Sequence, residues 1–168
     1  MPVASEELLA RLAALGVEQR TVDHPPVFTV EQARVHTAHI PGGHCKNLFL
    51  KDKKDRLWLF TCLDEQPVDL GRLARLMGSA RLSFGRPELL REVLGVEPGS
   101  VTPLALINDT EARVTAVLDA GLLRHEWINC HPLRNDATTS LRAADLVRFV
   151  HATGHHPMIV DLDGTAPI

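Results

Sequence analysis

The spacing of apolar positions changes period repeatedly along this chain, and each change predicts an element. Leu8, Leu9, Leu12 and Leu15 recur at helical spacing. They follow Ser5, a fair N-cap, and Glu6 and Glu7, which suit a helix N-terminus, and Gly16 closes the helix. Gln19 to Val22 alternates like a short edge strand and stops at Asp23-His24-Pro25-Pro26, where neither proline can donate to a ladder. Thr29-Val30-Glu31-Gln32 has the form of a capping box, which predicts a helix from Val30 to Thr37. The Pro41-Gly42-Gly43 turn then delivers the chain into an apolar strand opening at Lys46. That run, to Leu50, and the run Leu57 to Cys62 flank the polar turn Lys51-Asp52-Lys53-Lys54-Asp55, as in an antiparallel hairpin.

Beyond the hairpin, Asp69 caps a helix over Leu70 to Met77, with Gly78 past its end. Leu82 to Phe84 reads as a short strand. Pro87 suits the first position of a helix running to Leu94, and Gly95 stops it. In Pro98 to Asp109 a glycine-bearing loop leads into an apolar strand that begins at Pro103. Val114 to Leu118, Trp127 to Cys130, Thr138 to Leu141 and Met158 to Leu162 read as strands, and Asp119-Ala120-Gly121 as a turn. Ala143 to Ala152 is the last helix, and Asp163 to Ile168 a frayed tail. Short strands and helices alternate irregularly, and no GxGxxG turn follows a first strand. The pattern predicts an α+β fold, a mixed α/β sheet that is partly antiparallel with flanking helices, in a single domain spanning residues 1–168.

Composition narrows the function classes. A chain of 168 residues with 45% hydrophobic content supports a normal core, and no apolar run approaches the roughly 20 residues of a membrane span. The N-terminus has neither signal nor transit character, so a cytoplasmic location without membrane association is expected. Three widely spaced cysteines, Cys45, Cys62 and Cys130, suit reduced thiols rather than a disulfide framework. A net charge of −3 excludes a generally basic nucleic-acid binder, so any phosphate contact must be local. Lys46, Lys51, Lys53, Lys54 and Arg56 form one such cluster; read alone, it serves equally as a solubilising hairpin tip.

Chemistry-bearing residues are sparse. His36, His39, His44 and Cys45 lie close in sequence, but no HExxH or deaminase signature is present and no metal is expected. Cys130 and His131 are adjacent on a strand and would face opposite sides. Cys45, beside His44 and Lys46, is a thiol whose pKa those neighbours could lower. No GxSxG elbow exists. What remains is Lys46, His131 and the Gly99 loop: a cation, an imidazole and backbone donors, a set able to hold an ester and polarise its carbonyl without a covalent intermediate. Lys46 is also compatible with an ordinary solvated strand-end lysine, and the Gly99 loop with a plain connection.

Four stretches in order, His24-Pro25-Pro26-Val27-Phe28-Thr29-Val30-Glu31-Gln32-Ala33, Lys46-Asn47-Leu48-Phe49-Leu50-Lys51-Asp52, Gly99-Ser100-Val101-Thr102-Pro103 and Asn129-Cys130-His131-Pro132, resemble the YbaK/ProX family, relatives of the editing domain of bacterial prolyl-tRNA synthetase. The resemblance runs from about Ser5 to Leu162 and is strongest to the ProXp-ala (PrdX) branch. It implies a metal-free, cofactor-free aminoacyl-tRNA deacylase that hydrolyses mischarged tRNA(Pro), above all Ala-tRNA(Pro). Lys46 matches the family's essential lysine, His131 its pocket histidine, and Gly99 and Pro103 the ends of its GxxxP loop, which with Ser100, Val101 and Thr102 would hold substrate. Asn47 adjoins the lysine and lines the same pocket in this reading. The family picture has the terminal adenosine's own 2′-OH help activate water. Implied partners are tRNA(Pro) carrying alanine, with prolyl-tRNA synthetase or an elongation factor as a source of substrate. A monomer is the first expectation. The alternative is a non-catalytic tRNA-binding or synthetase-associated module.

Overall fold

The long hairpin that the apolar runs predict is the spine of the molecule. In this computed structural model, which describes residues 1–164, β2 (Gly43–Asp52) and β3 (Leu57–Leu63) pair antiparallel with Lys46 opposite Cys62 and Asn47 opposite Thr61. The other strands are β1 (Gln19–Asp23), β4 (Leu82–Phe84), β5 (Val114–Asp119), β6 (Trp127–Cys130), β7 (Ala137–Arg142) and β8 (Met158–Val160). They form one eight-stranded sheet in the order β1-β7-β6-β2-β3-β5-β8, with β4 on the second edge of β2. β6 pairs with β2, β5 with β3 and β8 with β5 in parallel; the rest is antiparallel, so the sheet is mixed as expected.

β3 is buried on both faces, and its alternation divides the core. Leu57 and Leu59 join Phe49 and Ile128 in a larger core with helices α1 (Ser5–Ala14), α4 (Pro87–Leu94) and α6 (Ala143–Ala152). Trp58, Phe60 and Cys62 join Leu50, Val117 and Val160 in a smaller core under α3 (Leu70–Met77). The helix α2 (Val30–Thr37) buries only Thr37, and α5 (Ala120–Leu123) is a single turn.

Most caps act as the sequence predicts. The Thr29 hydroxyl accepts from the Gln32 N–H, and Asp69 from Gly71 and Arg72. Gly78 and Gly95 close their helices in the left-handed conformation. Several expectations need correction. Ser5 lies inside α1 with its buried hydroxyl unpartnered, and Ala4 stands at the cap. Asp119-Ala120-Gly121 is not a free turn but the start of α5, capped by Asp119. Residues Pro103–Asn108 are a 3-10 segment, not a strand. Pro103 to Ile107 are all buried, so no periodicity distinguishes strand from helix there. Pro103 pre-sets the first helical φ, and the Thr102 hydroxyl accepts from the Leu104 N–H. β2 begins at Gly43, ahead of Lys46. Of the tail expected to fray, positions 165–168 lie outside the described residues.

Candidate functional site

The ladders leave a break in the sheet. β6 pairs with β2 only at Gly43 and His44, and β4 only from Leu50 to Asp52. Among the described residues, positions 45–49 of β2 have no strand neighbour on that edge. Strand edges of this kind are binding surfaces because their backbone groups are unspent. Three segments close around the break: the Gly99 loop, the turn after β6, and the segment His24 to Thr29 leading into α2.

Each is positioned by identifiable bonds. The Asn47 side-chain amide donates to the Val101 carbonyl at 3.1 Å, and its oxygen accepts from the Thr61 hydroxyl at 2.7 Å. A Cβ on Gly99 would meet the Phe28 ring at 3.0 Å and the Asn135 amide at 3.1 Å, so the glycine permits the close approach of the loop. Asn135 in turn donates to the Val27 carbonyl at 2.9 Å, and His24 N–H to the Asp136 carbonyl. The Pro41-Gly42-Gly43 turn is clamped by Asn129, whose amide donates to the Pro41 and Gly43 carbonyls while its oxygen accepts from Ser140. Gly42 sits at φ 108°, and a Cβ there would lie 2.5 Å from the Trp127 carbonyl oxygen.

Between α2 and the sheet lies a pocket of about 40 Å³. Val30, Ala33 and Thr37 of α2 roof it, and Cys45, Asn47, Cys130 and His131 stand in its walls with His44, Asp64, Asn129 and Thr138. One water needs roughly 10–15 Å³. The pocket therefore has room for a few waters or a comparably small group.

His131 is the titratable group of this pocket with the clearest polarity. Burial pulls its pKa below the usual imidazole value, the Ala137 carbonyl partly opposes this, and the nearby His24 adds to the lowering. The imidazole is thus neutral at pH 7. Its Nδ1 lies 3.1 Å from that carbonyl, which can only accept, so Nδ1 carries the hydrogen and Nε2 keeps a lone pair. The Pro25 carbonyl likewise makes His24 Nδ1 a donor, and His24 Nε2 lies 2.9 Å from the Thr138 hydroxyl.

Lys46 is placed differently from the expectation. It projects on the face of β2 that carries His44, opposite Asn47. Its ammonium donates to the Gln66 carbonyl at 2.5 Å, and the side chain is outside the pocket lining. Asn47, not Lys46, meets the Gly99 loop. Ser100, Thr102 and Pro103 are buried and serve as scaffold, Thr102 by its cap. The Cys45 thiol is not activated. Cys45 and Cys130 lie 3.4 Å apart, and the hydrogen bond between them, with burial, pushes the Cys45 thiol well up rather than down.

The sequence reading passed over several wall residues: His44, Cys45, Asp64 and Thr138 line the pocket, and Gln66 holds Lys46. The capping box at Thr29 located α2, but nothing in its pattern says that it roofs a site.

Likeness to known proteins identifies the family. The family profile described as "Aminoacyl-tRNA editing domain" matches residues 24–149. The chain is 46% identical over 160 residues to prolyl-tRNA synthetase associated domain-containing protein 1 of Danio rerio, covering 94% of this chain and 87% of that one. It is 32% identical over 160 residues to the prolyl-tRNA editing protein ProX of Acetoanaerobium sticklandii, covering 95% and 98%. A crystal structure described as a candidate trans-editing enzyme for prolyl tRNA synthetase superposes with a TM-score of 0.70 at 22% identity, covering 96% of this chain and 99% of that one, and shows the same fold. The profile spans every segment that builds the pocket, and on that ground the chain belongs to the aminoacyl-tRNA editing domain family, of the YbaK/ProX type.

Proposed function

We propose that this protein is a trans-editing aminoacyl-tRNA deacylase that hydrolyses the ester of mischarged tRNA(Pro), with alanine as the preferred acyl group. The observation that carries the reading is the pocket of about 40 Å³ lined by a neutral His131. Alanine's methyl fits it. The pyrrolidine ring of proline would press on α2 and the sheet, and packed walls resist such compression. Exclusion by a wall discriminates better than attraction, which gives only about 1–3 kcal/mol per methylene.

The residues then divide the work. Nε2 of His131 accepts a hydrogen from the substrate's α-ammonium. Asn47 holds the Gly99 loop against the break, and the loop's backbone steadies the terminal ribose. Lys46 keeps its charge and exchanges the Gln66 carbonyl for a substrate oxygen, which its flexible stem allows. An aminoacyl ester is already activated, so position and charge suffice for water to attack it, with no metal or covalent intermediate.

One observation favours the alternative of a non-catalytic tRNA-binding or synthetase-associated module: the Lys46 ammonium is tied to Gln66 and lies outside the pocket lining. Incubation with Ala-, Ser- and Cys-tRNA(Pro) decides between them. The deacylase releases alanine fastest, in the presence of EDTA, and Lys46→Ala loses at least about ten-fold in kcat/KM, a loss of about 1.4 kcal/mol in transition-state stabilisation. Binding of tRNA without release of any amino acid establishes the module.

A further inference from the structure

We propose that the depression beside Phe84 holds the base of the substrate's terminal adenosine, stacked on the Phe84 ring. The inference rests on the deacylase reading and extends it from the acyl group to the nucleotide that carries it. Three hollows in this molecule are joined by shared walls. Asn47 lines both the acyl pocket and a depression of about 190 Å³ bounded by Leu48, Phe84, Pro87, Pro98 and Val101. Phe84 and Pro87 in turn also line an open groove of about 1210 Å³. The track runs from the small acyl pocket, through the depression walled by Phe84, Pro87, Pro98 and Val101, to a charged groove.

The depression has the form of a stacking site. Phe84 pairs with Leu50 across β4 and β2, yet it is 63% exposed. The backbone beside it lies close against β2: a Cβ on Gly85 would fall 2.4 Å from the Phe49 ring, and Gly85 N–H donates to the Phe49 carbonyl. A solvent-facing aromatic beside two prolines is a platform for one planar heterocycle, and aromatic platforms of this kind hold unpaired bases without sequence readout.

The occupant follows from order and charge. The base nearest an aminoacyl ester is that of the terminal adenosine, and the next groups along the strand are phosphates. The groove beyond Phe84 carries Lys51, Lys53, Arg81 and Arg86. Of its carboxylates, Asp52 is taken by Arg56 and Glu92 by Arg113, which leaves Glu88 against Lys53, Arg81 and Arg86, while Lys51 is paired with Asp55. A polyanionic strand leaving the acyl pocket therefore meets first an aromatic face and then a net positive groove.

The test uses an RNA hairpin ending in an unpaired 3′ strand whose terminal base is 2-aminopurine, a base whose fluorescence falls on stacking. The wild-type chain is expected to quench it. Phe84→Ala should abolish the quenching and raise KM for aminoacyl-tRNA about ten-fold with little change in kcat, and Phe84→Trp should restore both. Quenching by Phe84→Ala equal to wild type, or loss only in Phe28→Ala, overturns the proposal. Quenching lost in Phe84→Ala with no ester hydrolysed by the wild type upholds the stacking site and removes the deacylase; hydrolysis with unchanged KM in Phe84→Ala does the reverse.

Discussion

Asp52 shows how one side chain can mean more in three dimensions than in sequence. In the hairpin turn it looks like a solvated polar residue. In the structure it is 3% exposed and accepts from the N–H groups of Lys54, Arg56 and Ala80 and from the Arg56 guanidinium. Burial pushes its pKa up, but those donors outweigh burial and hold it below the ordinary carboxylate value. The unfolded chain therefore binds a proton more readily. The resulting stability is present above about pH 3.9 and is lost as pH falls through the lower folded value. Asp52→Asn is expected to cost about 3 kcal/mol at neutral pH in urea unfolding, with the gap to wild type narrowing in acid. His131 acts in the same direction from a different cause. Burial lowers its pKa, so below about 6.5 the unfolded chain takes up a proton that the folded chain refuses, and this group contributes a loss of stability as pH falls. The pH profile of kcat/KM should accordingly show no fall assignable to His131 between about 7.5 and 6.5. Burial, opposed by Lys46, drives Cys62 to about 12, and Cys45 is likewise raised. Native protein at neutral pH should react slowly with a disulfide reagent and rapidly once unfolded.

At the level of the element, α2 is the weak member. It buries only Thr37, exposes Val35 at 79%, and depends on the Thr29 cap and on the Gln32 side chain, which accepts from the Phe28 N–H. Its amides should exchange with deuterium well before those of β3, which is buried from Leu57 to Cys62. Thr29→Ala is expected to cost about 1 kcal/mol of local stability, read as faster exchange in α2. Because α2 is the pocket roof, the same variant should hydrolyse Pro-tRNA(Pro) more readily relative to Ala-tRNA(Pro). The Gly42 turn is strong by contrast. Gly42→Ala must relieve both a positive φ and a 2.5 Å contact with the Trp127 carbonyl, a change expected to cost about 3 kcal/mol in thermal unfolding.

The whole molecule is held by a strand that belongs to two cores. Phe60 is fully buried in the smaller core, while its neighbour Leu59 packs in the larger. Phe60→Ala should cost about 4 kcal/mol, and loss of the smaller core's packing should loosen the sheet that carries both faces of β2. The pocket, the Phe84 depression and the basic groove all lie along one edge of β2. This arrangement exists because β6 and β4 each cover only an end of that edge. Among the described residues no helix is long and apolar enough to cross a membrane.

The hydrophobic period of this chain determined most of its elements, because caps, glycine stops and amphipathic spacing are local. Helices α2, α3, α4 and α6 and strands β4 and β6 have the predicted bounds. The segment Pro103 to Ile107 failed because a run buried all round has no period to read. The four motif stretches lie around the break, although the Lys46 ammonium turns away from the Gly99 loop. Three things were decided only by tertiary structure, since each depends on partners distant in sequence. They are the parallel pairing of β6 with β2, the turn of the Lys46 ammonium toward Gln66, and the downward pull on the His131 pKa. A residue's neighbours along the chain limit its backbone, but its electrostatic surroundings and the direction of its charge are set by whatever the fold brings against it.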